Sequence, residues 1–440
     1  MTFKHPAGLL TKILLWLAVS PLCSAGSDAL RDAAARGDAD AAFRLGLEYY
    51  AGTALRLKNP EVAVYWFRKA AEKGNIPAYY NLGICLEHGI GAEKSRIAAY
   101  HAYRKAADGG LVQAQLRCAE ILQTGLPEEH FADRTVPGIN ADPEQAMALF
   151  RKLAAQQILP AQRSLAKMLL ARPPAMRTAE DTQEAFRNLQ AAANAGDNTA
   201  KRLLAECYRN GVGVSPDPEK NAQLLQEAAD SGDKEAMCEL AHLLEYGIGI
   251  APDEAKAFAY LQKAADAGIA RAQSRLGDFY WSGKAVRQNV VKAAELYRKA
   301  AEKKDPAGMY RLAVCLLDGI GAVQDRQQGI ALLQDAAKAE EPRAQYLLGE
   351  TYRQGVLLVR DPGAAAYWFA RAARNNLPAA MREYGKCLLA GDGIKQNEQQ
   401  GQAWLLRAAK AGDPEARRIN RKRPMLHNSN ERKSHLWPTN

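Results

Sequence analysis

The sequence is poor in the residues that reactive and metal centres use. Of 440 residues only seven are cysteine and seven histidine, and aromatics make up 7%. Beyond residue 25 no run is apolar enough to cross a bilayer as a helix, which needs about 20 residues. No Asn-x-Ser/Thr site and no terminal retention tetrapeptide occur, which leans away from a eukaryotic secretory lumen. The body of the chain also lacks an excess of charge. The formal net charge is +10, but residues 1–25 hold +2 of it and residues 417–440 hold +6. The near-neutral remainder excludes a basic nucleic-acid footprint spread over the fold. The basic 417–440 segment reads as a frayed, solubilising tail that can touch an anionic surface.

One apolar stretch stands at the start. Lys4 and Lys12 precede Ile13-Leu14-Leu15-Trp16-Leu17-Ala18-Val19, Pro21 breaks the run, and Cys23-Ser24-Ala25 supplies small residues. This is the pattern of a secretory signal peptide over residues 1–25, cleaved after Ala25. A lipid anchor on Cys23 is the alternative, although Leu22 is bulky for such a cleavage site. The expected location is therefore exported, periplasmic or secreted, with a bacterial envelope favoured.

What the chain has in abundance is one unit. From residue 198 the pattern returns every 36 residues, as units 198–233, 234–269, 270–305, 306–341, 342–377 and 378–413. A small residue opens each (Ala200, Ala236, Ala272, Gly308, Ala344, Ala380). Four residues later a large residue precedes a small one, as in Leu240-Ala241 and Leu276-Gly277. A glycine closes the first helix (Gly211, Gly247, Gly283, Gly319, Gly355, Gly391), and paired alanines end the unit, as in Ala264-Ala265. Residues 38–74 and 75–110 carry the same unit. Residues 111–158 are 12 longer, with the excess around Leu126 to Ile139, and 159–197 is the weakest match, with Pro173-Pro174 in place of the glycine loop. Apolar spacings of three and four make each half an amphipathic helix. Asp-Pro pairs such as Asp217-Pro218 start second helices with a cap and an N1 proline. One hairpin cannot bury its own apolar faces, whereas stacked copies can. The expected fold is all-α: an α-solenoid of about ten helix-turn-helix repeats over 38–416, after a cap segment at 26–37.

These residues resemble the Sel1-like repeat family, a relative of the tetratricopeptide repeats. Residues 78–91, 200–213, 236–249 and 380–393 follow its Ala-x-x-x-Leu-Gly-x-x-Tyr-x-x-Gly-x-Gly form, and 70–74 and 264–268 follow its Ala-Ala-x-x-Gly ending. Ala285 departs where the second loop glycine belongs. The resemblance implies a scaffold or adaptor that binds partner proteins rather than an enzyme, with no cofactor and no metal. Carried over by offset from the opening small residue, it places a groove along the first helices. The side chains so placed are Tyr80, His88 and Glu120, then Arg202, Glu206, Arg209, His242, Glu245, Tyr246, Asp278, Trp281, Tyr310, Glu350, Arg353, Arg382 and Lys386. Aromatics and both charges together suit a peptide or helix, and the stretch from Arg202 to Trp281 is the first choice.

Two other functions have some sequence support. Some relatives are linked to β-lactam binding, and Ser-x-x-Lys occurs at Ser164–Lys167 and Ser231–Lys234. Neither is joined by Ser-Asp-Asn or Lys-Thr-Gly. Recognition of cell-wall or exopolysaccharide chains is the other, with Trp281 and the groove tyrosines as the platform. His242 and Glu245 stand one helical turn apart, but Tyr246 occupies the place of a second zinc-binding histidine. Some exported relatives staple each repeat with two cysteines; here no repeat has two. Cys85, Cys118, Cys207, Cys238, Cys315 and Cys387 read as buried thiols, with Cys85–Cys118 and Cys207–Cys238 left open as pairs.

Overall fold

The computed structural model describes residues 27–53 and 56–422. The segment read as a signal peptide, Cys23 with it, and residues 423–440 lie outside the described residues. The chain divides into two compact units, one ending at Asp197 and the other starting at Asn198. Both are made of helical hairpins, and 22 helices occur among the described residues.

Among the described residues the first unit opens with α1 (Ser27–Ala35), whose Ala33-Ala34-x-x-Gly37 ending is that of a second helix. Four hairpins follow: α2 (Ala39–Ala51) with α3 (Pro60–Glu72), α4 (Ile76–His88) with α5 (Arg96–Asp108), α6 (Val112–Thr124) with α7 (Pro143–Ala155), and α8 (Leu159–Ala171) with α9 (Ala179–Asn194). The second unit has six: α10 (Asn198–Asn210) with α11 (Pro218–Asp230), α12 (Lys234–Tyr246) with α13 (Glu254–Asp266), α14 (Ala270–Ser282) with α15 (Val290–Glu302), α16 (Pro306–Asp318) with α17 (Arg326–Lys338), α18 (Pro342–Gln354) with α19 (Pro362–Arg374), and α20 (Pro378–Ala390) with α21 (Glu398–Lys410). A last helix, α22 (Pro414–Lys422), packs on α21. Residues 417–422 are thus helical, a correction to the tail expected from 417 onward. Within each unit every helix packs on the next in sequence.

Punctuation in the sequence sets the uniform helix length. Asp217, Asp253, Asn289 and Asp361 accept from the backbone N–H three residues on, capping α11, α13, α15 and α19. At the other end of the first helices, Gly89, Gly247, Gly283, Gly319 and Gly391 adopt the left-handed conformation and give their N–H to the carbonyl four residues back. Ala285 takes φ 54° in the loop where its neighbours carry glycine, so the turn outlasts the loss of the residue that suits it.

The seam within a hairpin is fitted by volume. Gly46, Gly83, Gly277 and Gly349 lie under the rings of Phe67, Tyr103, Tyr297 and Phe369, and a Cβ on any of them would fall 2.5–2.7 Å from a ring carbon. Ala205, Ala241 and Ala313 hold the same register, and there the ring position is Leu225, Leu261 and Leu333, all buried. Gly385 opposite Leu405 and Ala119 with Phe150 depart from the rule. The summed volume is nearly kept, as dense interiors require.

The two irregular units differ mainly in their loops. The excess in the third hairpin is a small β-ribbon, β1 (Glu129–His130) paired antiparallel with β2 (Thr135–Val136), closed by a bridge between Leu126 and Ile139. In the fourth, Pro173-Pro174 replaces the glycine turn. Arg172 there bonds Asp181 at 2.9 Å, and Thr178 and Asp181 form a reciprocal capping box on the 16-residue α9.

Candidate partner-binding face

The first helices of successive hairpins are tied to one another by charge. Nine residues past the opening small residue of one repeat, a charged side chain meets an opposite charge three residues past the opening of the next. Glu87 pairs with Arg117 in the first unit. In the second unit Arg209 meets Glu239 at 4.0 Å, Glu245 meets Arg275 at 2.6 Å and Arg353 meets Glu383 at 2.9 Å. The sign alternates from pair to pair, and the partners stand 30 residues apart. Asp278 adds a variant of the link, forming an ion pair with Arg311 at 2.9 Å and accepting from the Tyr297 hydroxyl at 2.9 Å.

The expected residues lie on the first helices of their hairpins, and most of the charged ones are engaged by neighbouring charges there. In the first unit Tyr80 is half-buried with its ring 5.5 Å from Tyr103, His88 is exposed, and Glu120 is exposed and paired with Arg117. In the second, Arg209 holds Glu206 at 3.2 Å, while Arg202 lies 3.5 Å from Glu239. Glu245 is shared by Arg275 and Lys284. Trp281 and Tyr310 are half-buried against the apolar core. Glu350 pairs with Arg353, whereas Arg382 and Lys386 reach Glu383 and Glu415, and Arg382 also takes Asp413 at 2.6 Å. Tyr246, 60% exposed and edge-on to His242 at 4.8 Å, is the most open aromatic of the set.

Burial and charge tune the titratable groups. Burial works to raise the Glu245 carboxyl, but the bonds and charges of Lys284 and Arg275 prevail and hold it below its ordinary value. Burial lowers His242, and Arg275, Arg271 and Arg209 lower it further, against a smaller opposing pull from Glu245, so its imidazole is neutral at pH 7. Glu239 is raised, because burial outweighs Arg202, Arg271 and Arg209. All six cysteines among the described residues are buried and unpaired. Burial pushes Cys85, Cys118 and Cys238 up to about 12 and Cys207, Cys315 and Cys387 to about 11, which keeps them as inert thiols.

The serines of the two Ser-x-x-Lys motifs sit at the end of one helix and inside another. The Ser231 hydroxyl donates to the Glu227 carbonyl at the end of α11, and Ser164 lies within α8, half-buried. No group of three His, Cys, Asp or Glu side chains suited to a metal ion occurs among the described residues. No described helix is long and apolar enough to cross a membrane.

Tandem hairpins with small residues at their seams and a shared, charge-laced face define an all-α solenoid of the binding type. The Sel1 repeat model matches ten segments: 39–75, 76–111, 112–157, 159–197, 199–233, 234–269, 270–305, 306–340, 342–377 and 378–413. The chain belongs to the Sel1 repeat family. Among solved structures it is similar to c5321, a protective antigen of uropathogenic Escherichia coli with an SLR fold, at 27% identity over 91% of both chains and a TM-score of 0.56. It is also similar to a Sel1 repeat protein of Oxalobacter formigenes, at 25% identity over 90% of this chain and 89% of that one, with a TM-score of 0.45. A curated relative is DAP3-binding cell death enhancer 1 of Rattus norvegicus, 28% identical over 154 residues. That match spans 34% of this chain and 27% of the length of the relative. Sel1 repeat proteins generally act as protein-interaction scaffolds and are generally non-catalytic.

The sequence reading missed Glu87, Arg117, Glu239, Arg275, Glu383, Asp413 and Glu415, which hold the expected residues in place. A signal for the first five was available: complementary charges recurring 30 residues apart in fixed repeat phase.

Proposed function

We propose that the chain is an exported, non-enzymatic scaffold that holds a partner protein against the first helices of its second unit. The observation that carries this reading is the set of ion pairs that link α10 to α12, α12 to α14, α14 to α16, and α18 to α20. It fixes side chains of successive helices in one arrangement, and a pre-ordered surface loses less entropy on binding. The exposed Tyr246 and half-buried Trp281 supply aromatic anchors of the kind that dominate interfaces. Export rests on the N-terminal pattern, and the relative's description as a protective antigen is in keeping with it.

The test is crosslinking of the protein in its native host followed by mass spectrometry. Crosslinks to one partner should fall on α10, α12 and α14 and be lost in Tyr246→Ala. Crosslinks confined to second helices would defeat the assignment. N-terminal sequencing of the mature protein should begin at Gly26. A chromogenic β-lactam should be turned over no faster by the intact protein than by a Ser164→Ala/Ser231→Ala variant.

A further inference from the structure

Arginine two residues past the opening small residue occurs in three hairpins, and in two of them it has the same partner. Arg163 hydrogen-bonds Asp197, and Arg382 hydrogen-bonds Asp413 at 2.6 Å. Asp413 uses its other oxygen to cap the backbone N–H of Ala416, so the arginine locks onto a capping carboxylate at the start of the next first helix. Arg202 stands in the same phase, and the corresponding carboxylate, Asp233, caps α12 through Ala236. Arg202 does not take it. Its nearest carboxylate is Glu239 at 3.5 Å, with no hydrogen bond formed, and its Nε is buried without an acceptor.

The surroundings of Arg202 share this deficit of anion. Glu239 serves both Arg202 and Arg209 at 3.5 and 4.0 Å. Arg271 is exposed, makes no ion pair among the described residues, and acts electrostatically on both Glu239 and His242. A guanidinium withdrawn from water costs free energy unless an acceptor replaces the solvent, and a planar carboxylate matches its fork in two parallel bonds.

We infer that Arg202 and Arg271 form a seat for a carboxylate side chain of the partner, so the segment held on this face is an acidic peptide. This rests on the docking face proposed above and names the chemistry of its occupant. The partner's carboxylate does for Arg202 what Asp197 and Asp413 do for Arg163 and Arg382.

The full chain is titrated, by fluorescence anisotropy, with a labelled peptide of alternating glutamate and alanine and with its glutamine counterpart. The glutamate peptide should bind at least about tenfold more tightly, since a charge-assisted bond contributes roughly that much, and binding should weaken as sodium chloride rises. Arg202→Lys keeps the charge but not the fork and should weaken binding by about tenfold. Exposed Arg271→Gln should weaken it without changing the melting temperature. Equal affinity for the two peptides, no binding of the glutamate peptide, or unchanged binding in both variants would overturn the acidic seat. Host crosslinks on α10, α12 and α14 alongside such a result would leave the docking face standing. Crosslinks elsewhere would remove the face itself.

Discussion

At the scale of single residues, the volume rule between the two helices of a hairpin is the sharpest feature. Gly277 sits under Tyr297 with 2.5 Å between a would-be Cβ and the ring. Gly277→Ala should therefore cost roughly 1–3 kcal/mol through overpacking, read as a lower urea midpoint. Tyr297→Leu added to it reproduces the Ala241–Leu261 arrangement of the preceding hairpin. The double variant should lose less than the two single losses summed, because residues in contact do not add. Additive losses would show that the seam is not fitted by volume. Glu245 makes a second residue-scale case. Its folded carboxyl titrates below the ordinary value, so its stabilising contribution is whole above the unfolded carboxylate pKa. It is lost as pH falls through the lower folded value. Glu245→Gln should shallow the acid limb of a stability-versus-pH curve in that window and leave the slope near neutrality unchanged.

At the scale of elements, the β-ribbon of the third hairpin acts on its neighbour. In the second hairpin of the first unit and in three hairpins of the second unit, the second loop glycine lets the loop lie against the start of the preceding second helix, as Gly91 does on Pro60 and Gly249 on Pro218. The third hairpin has no such glycine turn. Instead Glu129 of β1 accepts from the N–H of Arg96 at 2.6 Å and of Ile97 at 3.3 Å, and from the Ser95 hydroxyl at 2.5 Å. A carboxylate at the start of α5 satisfies donors that no helical carbonyl can reach. Glu129→Gln should cost about 1 kcal/mol and speed hydrogen exchange at the Arg96 and Ile97 amides, with α8 and α9 unaffected. Uniform exchange across the unit would assign the carboxylate no local role. The twelve-residue excess was legible as an insertion between Leu126 and Ile139. Its purpose was not, because a contact with a helix 33 residues earlier leaves no periodic mark.

At the scale of the whole molecule, stability is a sum of hairpins and the contacts between neighbours. Removing residues 306–341 joins Asp305 to Pro342, which keeps a capping carboxylate ahead of an N1 proline and preserves the 36-residue phase. The shortened chain should remain helical by circular dichroism and melt at a lower temperature. Removing eighteen residues, 306–323, leaves a second helix without its first and should lower helicity well beyond the share deleted. Equal behaviour of the two deletions would argue against the hairpin as the unit. The ends fit the same logic: α22 keeps the opening Ala416, fully buried, but has Asn420 and Arg421 where other first helices carry a large residue and a small one.

The sequence by itself determined the repeat, its helix boundaries and the all-α class, because capping residues, left-handed glycines and the three-four apolar spacing act within a few residues of chain. The volume match of Gly277 with Tyr297 was also latent there, since twenty residues and one turn separate the partners in every regular unit. Only the tertiary structure decided which charges are spent on the fold. Arg209, Glu245, Arg353 and Arg382 look alike as exposed groove residues when each is read along its own helix. Laid beside their neighbours they become ion-pair partners, and Arg202 stands out among the expected groove residues as a cation without a hydrogen-bonded anion. That distinction depends on distances between helices some thirty residues apart, where a shift of about an ångström separates a hydrogen bond from a loose charge contact.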